Sequence, residues 1–423
     1  MKNTNKFFPI LFLIIISTWS CKKEYRIDPG NTGDQFNFAN KKDSFNVSVD
    51  EASKIAVTFA KQSTLLKSNT NLRTKLGQVE IANITTIPDR QNEPALYIIN
   101  YEGEGFLILS ATKKESPILG FSDQGGFNAK NVPLGMNEWL RERSENIQTL
   151  KNDRSHSHFK KYHEWDGIQN ENKISNNNAR TSAMPPVVEQ YGPLLSTHWG
   201  QGVPYNNYVS KKCPSGNAPT GCVATAIAQV ARYHAYPGEN SWGWSLMPLD
   251  KVTGRSVYGD NNVAVLMQSI GIWVKMDYGC EGSGANTGDA VGVFRDRFKY
   301  NRPGSYQTLS VRDAAPKIQL DIKNNRPVIM AGNAEKGNSG FPFYQTEYKV
   351  GHAWVCDGFL ICRQQLSPSG ALLSNYYHMN WGWDGASMGG SDNNGWFKLD
   401  DLQINGSYNF QYNRRYITGI SPY

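Results

Sequence analysis

APTGCVATAIAQ, residues 218–229, places one cysteine where a turn becomes a helix. Apolar residues recur at helical spacing after it, which predicts an amphipathic helix over residues 222–235. The run Tyr236-Pro237-Gly238 ends this helix, because proline cannot continue the hydrogen-bond ladder and glycine suits the exit turn. Cys222 therefore lies in the first helical turn rather than in the middle of an apolar face.

A cysteine at a helix N-terminus has two interpretations. Unpaired N–H groups and the helix dipole favour an anion there, so the pKa of the thiol falls and Cys222 becomes a usable nucleophile. The alternative is a small apolar side chain packed at the start of a helix, since free cysteines are often buried. In both cases Thr220 is the predicted N-cap.

Composition narrows the class of protein. A chain of 423 residues, 39% hydrophobic and 12% aromatic, is long enough for two or three globular domains. The formal net charge of +7 is spread without a long basic run, which argues against a nucleic-acid partner. The cysteine spacings match no zinc motif, and neither a metal nor a cofactor is expected. Cys213, Cys280, Cys356 and Cys362 are expected to be free or core thiols rather than a disulfide framework.

The N-terminus is typical of an exported protein. Lys2 and Lys6 precede an apolar run of about 12 residues that ends at Cys21, a signal-peptide pattern too short for a membrane span. The segment 1–21 resembles a bacterial lipoprotein signal, in which Cys21 is lipidated. The following KKEY resembles the export signal of surface lipoproteins in the Bacteroides group. The alternative is an ordinary signal peptide cleaved nearby. We expect an outer-membrane lipoprotein of the cell envelope or a secreted protein, with residues 22–45 as a polar tether.

Two structured units follow the tether. Residues 49–62 and 136–151 have helical periodicity, and three short strands lie between them, which predicts a compact α+β domain over residues 46–151. Residues 152–182 are rich in Asn, Ser and charge, which predicts a flexible linker open to proteolytic nicking. Residues 183–423 form a second, Gly- and aromatic-rich unit that ends in strands.

His352 is the predicted general base for Cys222. It stands in YKVGHAWVCDGFLI, after a glycine that admits close approach and at the head of an apolar strand, which suits a base that faces a cleft. The alternative is a core histidine bonded to the backbone. His234 shares the helix of Cys222 about 18 Å away and cannot reach it. A core position on its strand suffices to explain His378.

Two further segments offer the groups that such a pair needs. NWGWDG contains the Asn380 amide as an acceptor for the other ring nitrogen of the base, with Trp381 or Trp383 to exclude water. A Trp-rich strand is otherwise typical of a core. HWGQGVPYN contains Gln201, whose N–H groups suit an oxyanion together with the backbone N–H of Cys222.

Several blocks in fixed order resemble the streptopain (streptococcal pyrogenic exotoxin B) family of cysteine peptidases. They are GQGVPYN, TGCVATAIAQ, MDYG, GHAWVCDG, NWGWDG and GWFKLD, and the resemblance covers about residues 184–423. Upstream, GEGFLILSATKKESPILGFSDQGGF resembles the inhibitory propeptide of that family. The resemblance implies an α+β chain: a papain-like domain, with a helical part and an antiparallel sheet, after a small α+β propeptide domain.

The resemblance also implies roles for individual residues. Cys222 matches the nucleophile, His352 the base and Gln201 the oxyanion donor. Asn380 and Trp381 match the segment that orients and shields the histidine.

The substrate-facing wall is implied in the same way. Gly351 and the loop GSGA, with Ser283 and Gly284, match it. Two features depart from the family pattern: this chain has extra cysteines, and ASMGGSDNNG lengthens the loop between Trp383 and Trp396. Because of the longer loop, the resemblance does not predict the shape of the primed side, where the substrate residues after the scissile bond bind.

The sequence therefore predicts an exported zymogen of a cysteine endopeptidase that forms an acyl-enzyme through Cys222 and His352. Its expected partners are protein or peptide substrates, the propeptide at residues 46–151 as inhibitor, and a membrane through the lipid. Arg180, shortly before Pro185-Pro186, is the predicted activation cleavage point. The alternatives are a transglutaminase-like acyl transferase with the same dyad and a non-catalytic surface protein that binds glycans on its many aromatic side chains.

Overall fold

A computed structural model describes residues 45–62, 79–129, 134–153, 164–165, 187–250, 257–339, 345–367, 370–384, 393–399 and 412–423. Cys21 and Arg180 lie outside these ranges, as does most of the loop ASMGGSDNNG. Within these ranges, no helix has both the length and the apolar character that a membrane span requires.

The described elements run as follows. The helices are α1 Val49–Gln62, α2 Leu134–Asn152, α3 Cys222–His234, α4 Glu239–Trp242, α5 Val257–Trp273, α6 Asp289–Gly292 and α7 Val311–Lys323. The strands are β1 Ile81–Pro88, β2 Pro94–Tyr101, β3 Phe106–Ser110, β4 Ile118–Ser122, β5 Val187–Tyr191, β6 Lys212–Cys213, β7 Gly216–Asn217, β8 Arg302–Thr308, β9 Val328–Ser339, β10 Gln345–Ser367, β11 Gly370–Asn380, β12 Gly395–Lys398 and β13 Tyr412–Ser421.

The N-terminal elements agree with the sequence prediction. α1 covers the predicted residues 49–62, α2 includes the predicted helix 136–151, and β2, β3 and β4 are the three predicted strands. β1 is an addition, which pairs with β2. Only Ile87 of this strand is fully buried, so its sequence lacks the alternation of apolar and polar residues that would predict a strand.

One antiparallel sheet runs through both halves of the described chain. Its strand order is β1-β2-β3-β4-β12-β11-β10-β9-β13-β8, with β5 paired to β10 as a branch. At the junction of β4 and β12, Trp396 lies opposite Phe121 and Phe397 opposite Gly120. A Cβ on Gly120 would lie 2.7 Å from the Phe397 ring, so glycine permits this close approach. The N-terminal unit therefore extends the sheet of the C-terminal unit.

The long strand β10 carries His352. The strand begins at Gln345, so His352 lies within it rather than at its head as predicted, because residues 345–349 already pair with β9. The second half of β10 pairs with β11 and, at residues 359–362, with β5.

Apolar clusters form the cores of the described chain, and two of them join its two units. One cluster surrounds α3 and α5 and belongs to the C-terminal unit alone. Two others lie on opposite faces of the sheet: one joins α2 to Trp381 and Trp383, and the other joins α1 to Leu360 and Trp396. Because apolar burial stabilises a fold by about 25 cal/mol per Å², the two units stabilise each other through shared cores.

Two residues of the predicted linker pack at this junction. Trp165 is buried, and its Nε1–H donates to the Glu115 carbonyl at 2.7 Å. Glu164 pairs with the Lys398 ammonium at 3.0 Å. We call Glu164 and Trp165 the linker anchor. Glu115 lies between β3 and β4 of the N-terminal unit, and Lys398 lies on β12 of the C-terminal unit, so the anchor contacts both units.

The expectation of four thiols is wrong for two of the cysteines. Cys213 and Cys280 form a disulfide between positions 67 residues apart, whereas Cys356 and Cys362 are free and buried. No spacing motif signals this disulfide, because Cys213 on β6 and Cys280 in a distant loop meet only in the folded chain.

Candidate active site

The helix of Cys222 begins as predicted but with a different cap. The N-cap is Gly221, at φ 89° in the left-handed region that favours glycine. The predicted cap, Thr220, instead places its hydroxyl 3.2 Å from that of Thr225. The Thr220 N–H donates to the Gln201 carbonyl at 2.9 Å. This bond brings the predicted oxyanion donor beside the start of α3.

The Cys222 thiol faces β10. Burial raises its pKa above the ordinary value, and the backbone N–H groups of Ala353 and Val223 oppose this shift. The prediction of a depressed pKa is therefore wrong for this state, because loss of solvent outweighs the N–H groups at the helix end. The contact with Ala353 puts the sulfur next to the residue that follows His352.

His352 lies in a group of tryptophans, which we call the tryptophan box. The imidazole is buried, and its centroid lies 4.8 Å from the ring of Trp383, 6.0 Å from that of Trp354 and 6.3 Å from that of Trp381. Its Nε2 lies 3.0 Å from the Trp381 carbonyl, which can only accept, so Nε2 carries the proton. Burial lowers the pKa of His352 to about 4, which the bond to Trp381 only partly offsets.

Asn380 supports this centre differently from the prediction. The sequence suggests its amide as the acceptor for His352, whereas the bond described for that ring goes to the Trp381 carbonyl. The Asn380 amide donates to the Thr197 carbonyl at 2.7 Å, and its oxygen accepts from Gln229 Nε2 at 3.0 Å. These bonds tie the end of β11 to α3.

Gln229 is a residue that the sequence analysis missed. Its side chain is fully buried on α3, where it also accepts from the Thr197 hydroxyl at 2.9 Å. Buried amides need hydrogen-bond partners. A glutamine on the apolar face of the predicted helix is the signal that could have revealed this network.

The loop with Ser283 and Gly284 lies against the start of α3. A Cβ on Gly221 would lie 3.1 Å from the Ser283 carbonyl, so glycine at the cap lets the loop approach. Asp277 and Gly284 exchange backbone hydrogen bonds of 2.9 and 3.0 Å, which close the loop. A side chain at Gly284 would meet open space, and Gly351 is exposed on β10. The predicted wall residues thus lie beside the nucleophile and the predicted base.

His378 has a structural partner. Its Nδ1 lies 2.6 Å from Asp357 Oδ1, and Asp357 Oδ2 accepts from the Leu195 N–H at 2.9 Å. The Asp357 carboxylate is fully buried, and a buried charge needs such partners. This pairing accounts for His378 without a catalytic role.

The chemistry available at the centre is that of side chains and backbone amides. In the parts of the chain that the structure describes, no group of three or more His, Cys, Asp or Glu is placed to hold a metal ion. A thiol, an imidazole, an amide side chain and backbone N–H groups are the components of acyl transfer through a covalent intermediate.

Comparison with protein families agrees with this chemistry. Residues 199–243 and 238–390 match the peptidase C10 family, a span that contains Cys222 and His352. Residues 199–390 are thus a peptidase C10 domain. Residues 44–147 match the Spi protease inhibitor family. This C10 chain is therefore a cysteine endopeptidase with an inhibitor-type propeptide, which confirms the resemblance to streptopain.

Individual relatives of this C10 peptidase cover most of its length. Streptopain of Streptococcus pyogenes is 27% identical over 88% of this chain and 91% of its own. The thiol protease/hemagglutinin PrtT of Porphyromonas gingivalis is 25% identical over 71% of this chain and 34% of its own. A prointerpain A fragment of Prevotella intermedia covers 81% of this chain and 98% of its own at TM-score 0.54 and 23% identity. The predicted papain-like fold is thereby confirmed, and the acyl transferase and glycan-binding alternatives are set aside.

Proposed function

We propose that this C10 peptidase hydrolyses protein or peptide substrates through a dyad of Cys222 and His352, and that it is made as an exported zymogen. The observation that carries the dyad is the contact between the Cys222 thiol and the backbone N–H of Ala353, next to His352. Peptide hydrolysis by the processed chain, and its loss in Cys222→Ala, tests this proposal.

In the proposed reaction the Cys222 sulfur attacks the scissile carbonyl. His352 takes the thiol proton and delivers it to the leaving amine. The side chain of Gln201 and the backbone N–H of Cys222 bind the oxyanion. Water then attacks the acyl-enzyme while His352 accepts its proton. The bond between the acyl carbon and the Cys222 sulfur breaks, the acid product leaves, and the sulfur regains the proton from His352. The Trp381 carbonyl orients the imidazole, and the surrounding rings exclude water.

Contacts of the N-terminal unit support latency. Trp139 on α2 packs on Phe397 with ring centroids 5.6 Å apart, and Phe397 lies 5.4 Å from Trp381. The N-terminal unit thus reaches the tryptophan box. Burial holds the pKa of the Cys222 thiol high and that of His352 at about 4, so both groups are neutral at neutral pH.

Cutting the precursor near Arg180 is expected to raise its peptidase activity at least about tenfold, since a tether keeps an inhibitor at high effective concentration. The mature chain should begin between Thr181 and Pro185, because Pro185-Pro186 resists trimming. Hydrolysis rates before and after the cut, with N-terminal sequencing of the active form, check both expectations. Full activity of the uncut precursor would contradict latency.

Substitution in the linker anchor tests inhibition by the propeptide more directly, because the anchor precedes Arg180 and stays with the propeptide after the cut. Trp165→Ala removes a fully buried indole, a truncation that costs about 3–5 kcal/mol in protein cores. The cut propeptide should therefore bind the enzyme more weakly in this variant. When the cut protein is diluted, the propeptide should dissociate, and activity should appear, at a higher protein concentration than in the parent. The matched control, Trp165→Phe, keeps a ring and loses the bond to Glu115, so it should retain most of the inhibition. Identical dilution curves for the parent and Trp165→Ala would show that the anchor adds nothing.

A lipid on Cys21 is proposed to hold the precursor at the cell envelope. The apolar run that ends at this cysteine supports the proposal. Cys21→Ala should move the protein from the membrane fraction to the soluble fraction, because the acyl chains supply the attachment. Ser20→Ala keeps the cysteine and serves as the control. Unchanged membrane fractionation of Cys21→Ala, or no incorporation of labelled fatty acid into the parent, argues against lipidation.

A further inference from the structure

The disulfide between Cys213 and Cys280 connects the two segments that flank the nucleophile. Cys213 lies in the hairpin of β6 and β7, a few residues before Cys222 in the chain. Cys280 lies in the loop of residues 277–284, which contains the predicted wall residues. The bond therefore joins the entry to α3 with the loop that faces the substrate.

The hairpin side of this connection is firmly held. Asn206 donates to the Asn217 carbonyl at 2.9 Å, and Asn217 donates back to the Asn206 carbonyl at 2.9 Å. The Ala218 N–H donates to the Lys211 carbonyl at 2.9 Å and closes the base of the hairpin. Cys213 is thus fixed relative to the start of α3.

The loop side is packed at its base and open at its tip. Met276, just before the loop, is buried against Gly221, whereas Cys280 is exposed. The hydrogen bonds that close the loop, between Asp277 and Gly284, are internal to it. A side chain on Gly282 or Gly284 would meet nothing within 4 Å. The disulfide is a covalent connection from this open tip to the fixed hairpin.

We propose that this disulfide holds the loop of residues 277–284 in the position that binds peptide substrate, which makes Cys213 and Cys280 positioning residues. The inference rests on the proposed function, in which Cys222 is the nucleophile and the loop borders the substrate. A loop released at its tip samples more conformations, and ordering it again on binding weakens affinity for the substrate. The chemical step at Cys222 is unaffected.

The proposal has a redox consequence. Cys222 must be a free thiol to attack, whereas Cys213 and Cys280 must be joined. A dithiol reductant can reach the exposed Cys280 sulfur: its two thiols lose two electrons and two protons and become a disulfide, and the two cysteine sulfurs each gain one electron and one proton. Strong reduction should therefore weaken substrate binding in the same solution that keeps Cys222 active.

The test compares the processed parent with the double variant Cys213→Ser/Cys280→Ser, which leaves no unpaired thiol from the bond. KM for a peptide substrate should rise about three- to tenfold, while kcat stays within about twofold. This pattern is expected when a variant loses binding energy equally in the ground state and in the transition state. The buried thiol variant Cys356→Ala is the matched control and should keep both constants. An unchanged KM in the double variant, or a fall in kcat alone, overturns the proposal.

A second measurement needs no substitution. The KM of the parent should rise as dithiol concentration increases, while the KM of the double variant stays constant. The thiols of the parent are counted by alkylation under denaturing conditions, before and after reduction. The reduced protein should have two more thiols, those of Cys213 and Cys280. No difference in that count overturns the proposal. Failure of the proposed function is recognised separately, because peptidase activity would then survive in Cys222→Ala whatever the KM of the double variant.

Discussion

Replacing Cys222 with alanine is expected to lower kcat/KM for peptide hydrolysis at least about a thousandfold, because the covalent route through the acyl-enzyme is lost. The substitution removes one sulfur atom at the start of α3, where residues 223–231 are buried in the core. Circular dichroism and the thermal midpoint should therefore match those of the parent. Peptide hydrolysis by chains cut near Arg180 is the measurement.

Cys356→Ala is the control for this experiment. Cys356 is a free thiol like Cys222, but it is fully buried on β10, where burial raises its pKa well above the ordinary value. An electrophilic epoxide should label Cys222 in the cut chain and leave Cys356 unmodified. Hydrolysis that persists in Cys222→Ala, or labelling of Cys356 in preference to Cys222, would move the nucleophile elsewhere.

Replacing His352 with alanine is expected to lower kcat about 10²- to 10⁴-fold, the usual contribution of general acid–base catalysis. The imidazole leaves a cavity among Trp354, Trp381 and Trp383, but these rings also contact one another, so the fold should persist. Measurement of kcat and KM separately distinguishes the loss of a proton carrier, which lowers kcat, from a distorted wall, which raises KM.

His378→Asn is the matched control for the base. The asparagine amide can replace the His378 Nδ1 that bonds to Asp357, so the buried carboxylate keeps a donor. This variant should retain activity within a few-fold. An active His352→Ala together with an inactive His378→Asn would place the base on β11 instead of β10.

The elements that periodicity governs were predictable from the sequence, whereas the contacts between distant segments were not. α1 and α3 follow from apolar spacing over one stretch of chain. The Cys213–Cys280 disulfide, the bond of Gln229 to Asn380 and the burial of Trp165 each join residues far apart in the sequence. A single sequence carries no pattern that pairs such positions.

The cap of α3 shows how tertiary contacts override a local rule. Thr220 satisfies the sequence preference for an N-cap, yet Gly221 takes that position. The backbone there has positive φ, and any Cβ would meet Met276 and the Ser283 carbonyl. Similarly, the helix end favours a thiolate at Cys222, but burial in the precursor raises the pKa instead. Both outcomes depend on what packs around the helix start.

The pairing of β4 with β12 has a consequence for the enzyme after its propeptide leaves. β12 then becomes an edge strand, and the N–H and C=O groups that faced β4 lose their partners. The large rings of Trp396 and Phe397 also lose the apolar neighbours that α1 and α2 supplied. Such an edge is a template for pairing with other chains, so we expect the propeptide to protect β12 from self-association until it is removed.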